Sequence, residues 1–335
     1  MVADNRARAL PLAPLMTNRA PTGRPTWGDS MKISRRAFTL GSSMAMAATA
    51  LPLSRARAQA TAEMGAMRID IVSDGYLTLP RDFILGELSE EALAPILAEA
   101  GVGPGALTPP CNVTLLRHED RVILFDAGSG MGFLDTVGDL PQALDALGVA
   151  SEDVTHVVFT HGHADHLWGV LDDFDEAFFS NAQHMMGRVE FDYWADPATI
   201  DTISEDRVPM AAGAKRRLDL VAERFSFFED GAEVLPGVIA RGTFGHSPGH
   251  MSFALADGGD SAMIVGDALI NDHTAFAHPD WPIGADSDQQ AAAAVRTGLL
   301  DQLATDAMPM VGFHLPGGGV GRVERFDGAY RFVPA

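Results

Sequence analysis

The sequence predicts an α/β (α+β) fold in which mixed β-sheets pack together with helices outside. Three observations carry this expectation. Apolar runs of strand length recur from residue 67 to residue 333. Helical spacing interrupts them at only a few places. The two kinds of segment do not alternate strictly, as a parallel βαβ fold would require. An αββα sandwich of two mixed sheets satisfies all three, although periodicity alone does not select it.

In chain order, residues 67–79 alternate like a strand through Ile69, Ile71, Tyr76, Leu77 and Leu79, around a turn at Asp74-Gly75. Residues 87–100 have helical spacing through Leu88, Leu93, Ile96 and Leu97 and stop at Gly101. Gly103-Pro104-Gly105 and Pro109-Pro110 then form a loop. Strands follow at 112–117 and 121–125 and lead into Asp126-Ala127-Gly128-Ser129-Gly130. A short helix fits 141–147, and a buried strand fits 155–160. In the second half a basic-faced helix fits 212–224, and strands fit 238–243, 251–255 and 262–265. A longer helix fits 288–304, and strands return at 310–313 and 330–333.

Hydrophobic residues make up 47% of the 335 and charged residues 21%, the balance of a soluble globular chain able to bury a core without staples. The single cysteine can form no internal disulfide. Cys111 follows two prolines and opens an apolar run with no base nearby, so it reads as a buried, inert thiol. The net charge of −21 is unevenly spread. Residues 1–59 hold nine basic and two acidic residues, leaving 15 basic and 43 acidic, a net of −28, in the remainder. Such a surface repels phosphate backbones, which excludes nucleic-acid partners.

Residues 31–60 read as an export leader. Ser34-Arg35-Arg36-Ala37-Phe38-Thr39-Leu40 resembles the twin-arginine motif, a small-residue apolar stretch runs from Phe38 to Leu51, and Ala58-Gln59-Ala60 has the A-x-A cleavage pattern. The apolar stretch is shorter than the ~20 residues that span a bilayer, so a cleaved signal is expected and a stable membrane anchor is not. Residues 1–30 are aperiodic and rich in Pro, Arg and Thr, and Met31-Lys32 is a suitable start for the leader. The expected organisation is thus an N-terminal extension and signal over 1–60 and one domain over 61–335. The mature protein would be periplasmic, delivered by the twin-arginine machinery. The oligomeric state is left open, a homodimer included.

The chemistry concentrates in Thr160-His161-Gly162-His163-Ala164-Asp165-His166. Four potential ligands fall within six residues directly after an apolar strand, separated only by small residues. Borderline-soft cations such as zinc bind imidazole nitrogen and carboxylate oxygen, and this run supplies both. Isolated histidines do not come packed this densely.

H-x-H-x-D-H after a strand resembles the signature of the metallo-β-lactamase superfamily. Residues 112–130 resemble its early hairpin and Asp-x-Gly turn, Gly245-His246-Ser247-Pro248-Gly249-His250 its second histidine motif, Val265-Gly266-Asp267 its strand-borne aspartate, and Gly312-Phe313-His314 its last histidine. The resemblance implies the αββα sandwich and two divalent cations, expected to be zinc. It assigns His161, His163 and His250 to the first cation, Asp165, His166 and His314 to the second, and Asp267 as the bridge. A metal-bridging hydroxide would be the nucleophile, oriented by catalytic Asp165, which also passes a proton to the leaving group. His246, in the same loop as His250, reads as a supporting or structural residue. His118, His156, His184 and His278 carry no ligand pattern, nor does His273 in the polar run Asn271-Asp272-His273.

Within the superfamily, Asp267 argues against true β-lactamases, which generally lack it. His163 stands where flavodiiron proteins carry glutamate. Export suits a glutathione thioesterase of the glyoxalase II type poorly. The stretch from His314-Leu315-Pro316 through Gly328–Pro334 resembles methyl parathion hydrolase, and the wider match is to the group that includes N-acyl homoserine lactonases. The expected substrate is therefore a small uncharged ester, namely a lactone, aryl ester or phosphotriester. Phe133, Trp168, Tyr193, Trp194, Phe276 and Trp281 are the aromatic candidates for its pocket. A metal-binding protein that kept the fold and lost turnover is the reading from another class.

Overall fold

In the computed structural model, residues 58–86 and 88–335 are described, and two seven-stranded sheets among them share one apolar core. The first sheet runs in sequence order: β1 (Ala58–Met64), β2 (Met67–Tyr76), β3 (Pro110–His118), β4 (Arg121–Phe125), β5 (His156–Val158), β6 (Gln183–Gly187) and β7 (Phe225–Phe228). The second is also sequential: β8 (Glu233–Leu235), β9 (Val238–Gly242), β10 (Met251–Asp257), β11 (Asp260–Gly266), β12 (Met310–Gly312), β13 (Val320–Phe326) and β14 (Ala329–Pro334). Both sheets are mixed. β4 to β7 pair in parallel, as do β11 and β12, while the flanking pairs are antiparallel.

The helices are α1 (Arg81–Leu85), α2 (Glu90–Glu99), α3 (Leu140–Ala146), α4 (Ala164–Leu167), α5 (Arg188–Ala195), α6 (Ala198–Thr202), α7 (Val208–Val221), α8 (Thr274–Ala277) and α9 (Gln289–Asp306). Alternation within the strands sorts the core into layers. Ile69, Ile71, Leu116 and Phe125 of the first sheet meet Val238, Phe253 and Ile264 of the second. The other face of the first sheet, through Val113, Leu115 and Val157, packs on α3, α5 and α7. Val265 and Met310 of the second sheet pack outward on α1, α2, α8 and α9. This is the expected αββα sandwich.

The elements depart from the sequence reading in instructive places. Asp74-Gly75 is not a turn. β2 continues through it with a register shift between Ser73 and Tyr76, and Gly75 sits at φ 101° against the Thr136 carbonyl. The helix expected from residue 87 starts at Glu90, because the Ser89 side chain accepts the Ala92 N–H and caps it. The helix expected from 212 starts earlier, with Pro209 in its first turn. Strands β6, β7 and β8 are short, and long-range pairing rather than local pattern makes them strands. The twin-arginine motif and the apolar stretch lie outside the described residues. The A-x-A tripeptide is the beginning of β1, where Ala60 pairs with Ile71.

Candidate metal centre

Five loops meet at the carboxyl ends of β4, β5, β9, β11 and β12. β4 releases Asp126 at φ 70°, and its carboxylate accepts the Thr160 N–H (2.7 Å) and hydroxyl (2.8 Å), tying this loop to the motif loop after β5. The motif loop turns tightly over Trp194, and a side chain at Gly162 would strike that indole at 2.3 Å. The close approach leaves room only for glycine between His161 and His163.

The side chains that converge are His161, His163, Asp165, His166, His246, Asp267 and His314. His161, His163 and His246 offer ligand-type atoms within 4.8 Å of one another, as do His161, His166 and Asp267. His314 Nε2 lies 3.2 Å from Asp165 Oδ2 and 3.3 Å from Asp267 Oδ2, and His246 Nε2 is 3.4 Å from Asp267 Oδ2. His161 Nε2, His163 Nε2, His166 Nε2, Asp165 Oδ2 and Asp267 Oδ1 are all buried without a hydrogen-bond partner. Orphaned buried groups are costly, and so many in one place need a common partner.

The opposite ring nitrogens are held. His166 Nδ1 donates to Asp126 (2.8 Å), His246 Nδ1 to Asp286 (3.0 Å) and His314 Nδ1 to the Pro110 carbonyl (2.8 Å). The Thr160 hydroxyl, itself donating to Asp126, accepts from His161 Nδ1 at 3.0 Å. This is the outer support that fixes tautomers and directs Nε2 lone pairs inward. Burial holds His161 and His163 well below the ordinary histidine range, so their lone pairs are free. Burial opposes ionisation of Asp165, yet His166 and His314 hold its carboxyl well below the usual range. The donor set fits divalent cations: neutral imidazoles and ionised carboxylates, buried and aimed at one another.

A profile of the metallo-beta-lactamase superfamily matches residues 107–314. The chain belongs to the metallo-β-lactamase superfamily. Its histidine–aspartate cluster supplies donor types suited to divalent metal. AidC, a dizinc quorum-quenching lactonase, superposes with a TM-score of 0.77 at 24% identity, covering 82% of this chain and 96% of AidC. The hydrolase AbOPH gives 0.76 at 24%, with the same shares. An N-acyl homoserine lactone hydrolase with N-hexanoyl-L-homoserine at its metal centre gives 0.53 at 19%, over 76% and 95% of the two chains. At these identities the likeness is one of fold. A curated relative, the uncharacterized protein YobT of Bacillus subtilis (strain 168), is 28% identical over 163 residues. That match covers 48% of this chain and 62% of YobT, so the chain spans less than two thirds of that relative.

In this metallo-β-lactamase fold the two-histidine loop before β10 reverses the expectation. His250 has no nitrogen to offer. The Asp267 N–H donates to its Nε2 at 3.0 Å, leaving Nδ1 to donate to the Thr243 hydroxyl at 2.8 Å. His246 instead faces His163, nitrogen to nitrogen at 3.0 Å, and belongs to the cluster. Sequence reasoning also missed the supports. Asp286, which holds His246, is itself held by buried Arg296 (3.1 Å) on α9. Buried Glu190 accepts the Gly162 N–H (2.8 Å) and Trp194 indole N–H (2.6 Å) on one oxygen and the Ser247 hydroxyl (2.8 Å) and Gly249 N–H (2.7 Å) on the other. One carboxylate thus clamps both histidine loops. Nothing in the local sequence of α5, which also carries Arg188 and Asp192, sets Glu190 apart. Cys111 is fully buried beneath His314, and burial pushes its thiol up to about 12.

A cavity of about 560 Å³ opens onto the cluster. Of the six aromatic candidates, Phe133 and Trp168 lie on its wall, edge to face at 5.2 Å, with Arg217 stacked on Trp168 at 4.1 Å. The other four do not line it. Trp194 packs behind His163, and Tyr193 packs on Trp194. Phe276 is buried against Phe332, and Trp281 stacks on His278. Much of the remaining apolar wall comes from the 77–107 segment, through Leu77, Leu79, Phe83, Ile84, Val102 and Leu107.

Proposed function

We propose that the protein is an exported hydrolase of small, uncharged esters that works with two divalent cations, zinc being the expected metal. His161, His163 and His246 would hold one cation and Asp165, His166 and His314 the other, with Asp267 shared. The observation that carries this reading is the group of partnerless buried donor atoms at the end of an apolar-walled cavity. Cations bound there would supply Lewis acidity and acidify a water molecule. Asp165, ionised and buried beside His314, orients that water. Asp267 would offset the mutual repulsion of the two positive charges. The apolar walls exclude bulk water and accept a hydrocarbon or aryl group. The acidic surface raises the cost of approach for polyanions, which supports neutral substrates.

Lactones, aryl esters and phosphotriesters fit this description, with lactones or aryl esters as the native chemistry. The lactones named for neighbours of the same fold support that choice. The test is kcat/KM of the metal-loaded protein on a lactone, an aryl acetate, a phosphotriester, a cephalosporin and a glutathione thioester. One of the first three should be preferred; preference for either of the last two would place the chain on another branch of the superfamily.

The same reading puts the mature protein in the periplasm. Among the described residues no helix is long and apolar enough to cross a membrane. Changing Arg35 and Arg36 together to Lys should leave full-length protein in the cytoplasm. Unchanged processing and periplasmic recovery of that variant would require another route.

A further inference from the structure

The two proposed cation sites lean on different carboxylates. Asp126 holds His166 directly and reaches the first site only through the Thr160 hydroxyl. The loops that carry His161, His163 and His246, the ligands of the first site, meet instead at Glu190 on α5.

Glu190 is fully buried, and each of its carboxylate oxygens accepts two donors. One is the Gly162 N–H (2.8 Å), between His161 and His163. The Ser247 hydroxyl (2.8 Å), next to His246, and the Gly249 N–H (2.7 Å) come from the other loop. The fourth is the indole of Trp194, which packs edge-on against the His163 ring at 5.6 Å. The loops press so close that a side chain at Gly249 would strike the Glu190 backbone at 2.3 Å.

Four donors fill the four acceptor positions of a carboxylate, so none remains for a proton. Burial pushes the carboxyl up, yet the same hydrogen bonds favour its ionised form. Among the described residues no basic side chain forms an ion pair with it. A buried anion in that position is costly unless positive charge lies close by. The first site needs such an anion. Its own three ligands are neutral imidazoles, whereas the second site includes Asp165.

We propose that Glu190 is the positioning residue and non-ligating counter-charge of the first cation site, setting its affinity and not that of the second. This rests on the two-cation reading and adds to it that the two sites are tuned separately.

The test titrates the full chain, freed of metal, with zinc in competition with a chromophoric chelator. Wild-type protein should bind in two steps, and the step missing from His246→Ala identifies the first site. Glu190→Gln, similar in shape but neutral, should weaken that step about 10-fold to 100-fold, as for other groups that support ligands. The other step should stay unchanged, and excess zinc should restore kcat. Ser247→Ala, which removes one donor and keeps the charge, should weaken the same step about fivefold, the worth of one hydrogen bond. That variant decides the matter if circular dichroism shows Glu190→Gln unfolded.

Equal weakening of both steps, or of neither, in folded Glu190→Gln would overturn the inference and leave the two-cation reading intact. So would turnover that excess zinc does not restore, or unchanged zinc binding by Ser247→Ala. A single zinc step in the wild-type protein would remove both.

Discussion

Asp267→Ala is expected to lose at least about 100-fold in kcat/KM and to hold its metal far more weakly, while the fold persists. Changes to groups that only support metal ligands already cost 10–100-fold, and Asp267 stands closer than that. Its Oδ1 is a buried orphan, and its Oδ2 lies 3.3 Å from His314 and 3.4 Å from His246, one on each side of the cluster. Without that carboxylate, the repulsion between two bound cations would be less compensated. The surrounding strand is secured independently, since β11 pairs with both β10 and β12. Circular dichroism, elemental analysis and steady-state kinetics on one preparation check this. Near-normal turnover with full metal content would make Asp267 a structural residue.

His246→Ala and His250→Ala should separate, because the two rings do different work. The cluster geometry has His246 facing His163 across 3.0 Å, with Asp286 and Arg296 fixing its other nitrogen. Its removal should cost about one metal per chain and most of the activity. His250 has both nitrogens engaged, one by the Asp267 N–H and one by Thr243. His250→Ala should therefore retain two metals per chain at saturation, with affinity lowered about 10-fold to 100-fold as for other outer supports. Metal titrations of the two variants side by side are the check. The opposite ranking would restore the assignment that the sequence pattern first favours.

That reversal shows what the sequence could carry. H-x-H-x-D-H is legible because its ligands sit within six residues and the strand before them fixes their direction. Gly245-His246-Ser247-Pro248-Gly249-His250 offers two histidines in one loop, and local pattern cannot say which ring turns inward. The choice is made by distant groups, the Asp267 N–H on one side and Asp286 on the other, 17 and 40 residues away. Glu190 was illegible for the same reason, since the groups it joins are spread from Gly162 to Gly249. The core strands of the second sheet follow from alternation, whereas β6 and β8 exist through their neighbours. Phe133 and Trp168 reach the cavity wall, whereas the other four aromatic candidates lie elsewhere, because an aromatic residue near a motif also packs behind it, as Trp194 does.

The shared role of Asp267 is tested most directly by the number of metals these buried donors hold. Elemental analysis of the mature protein, saturated with zinc and freed of excess, should give two zinc ions per chain. One or fewer would contradict a shared Asp267 and with it the division of the cluster into two sites.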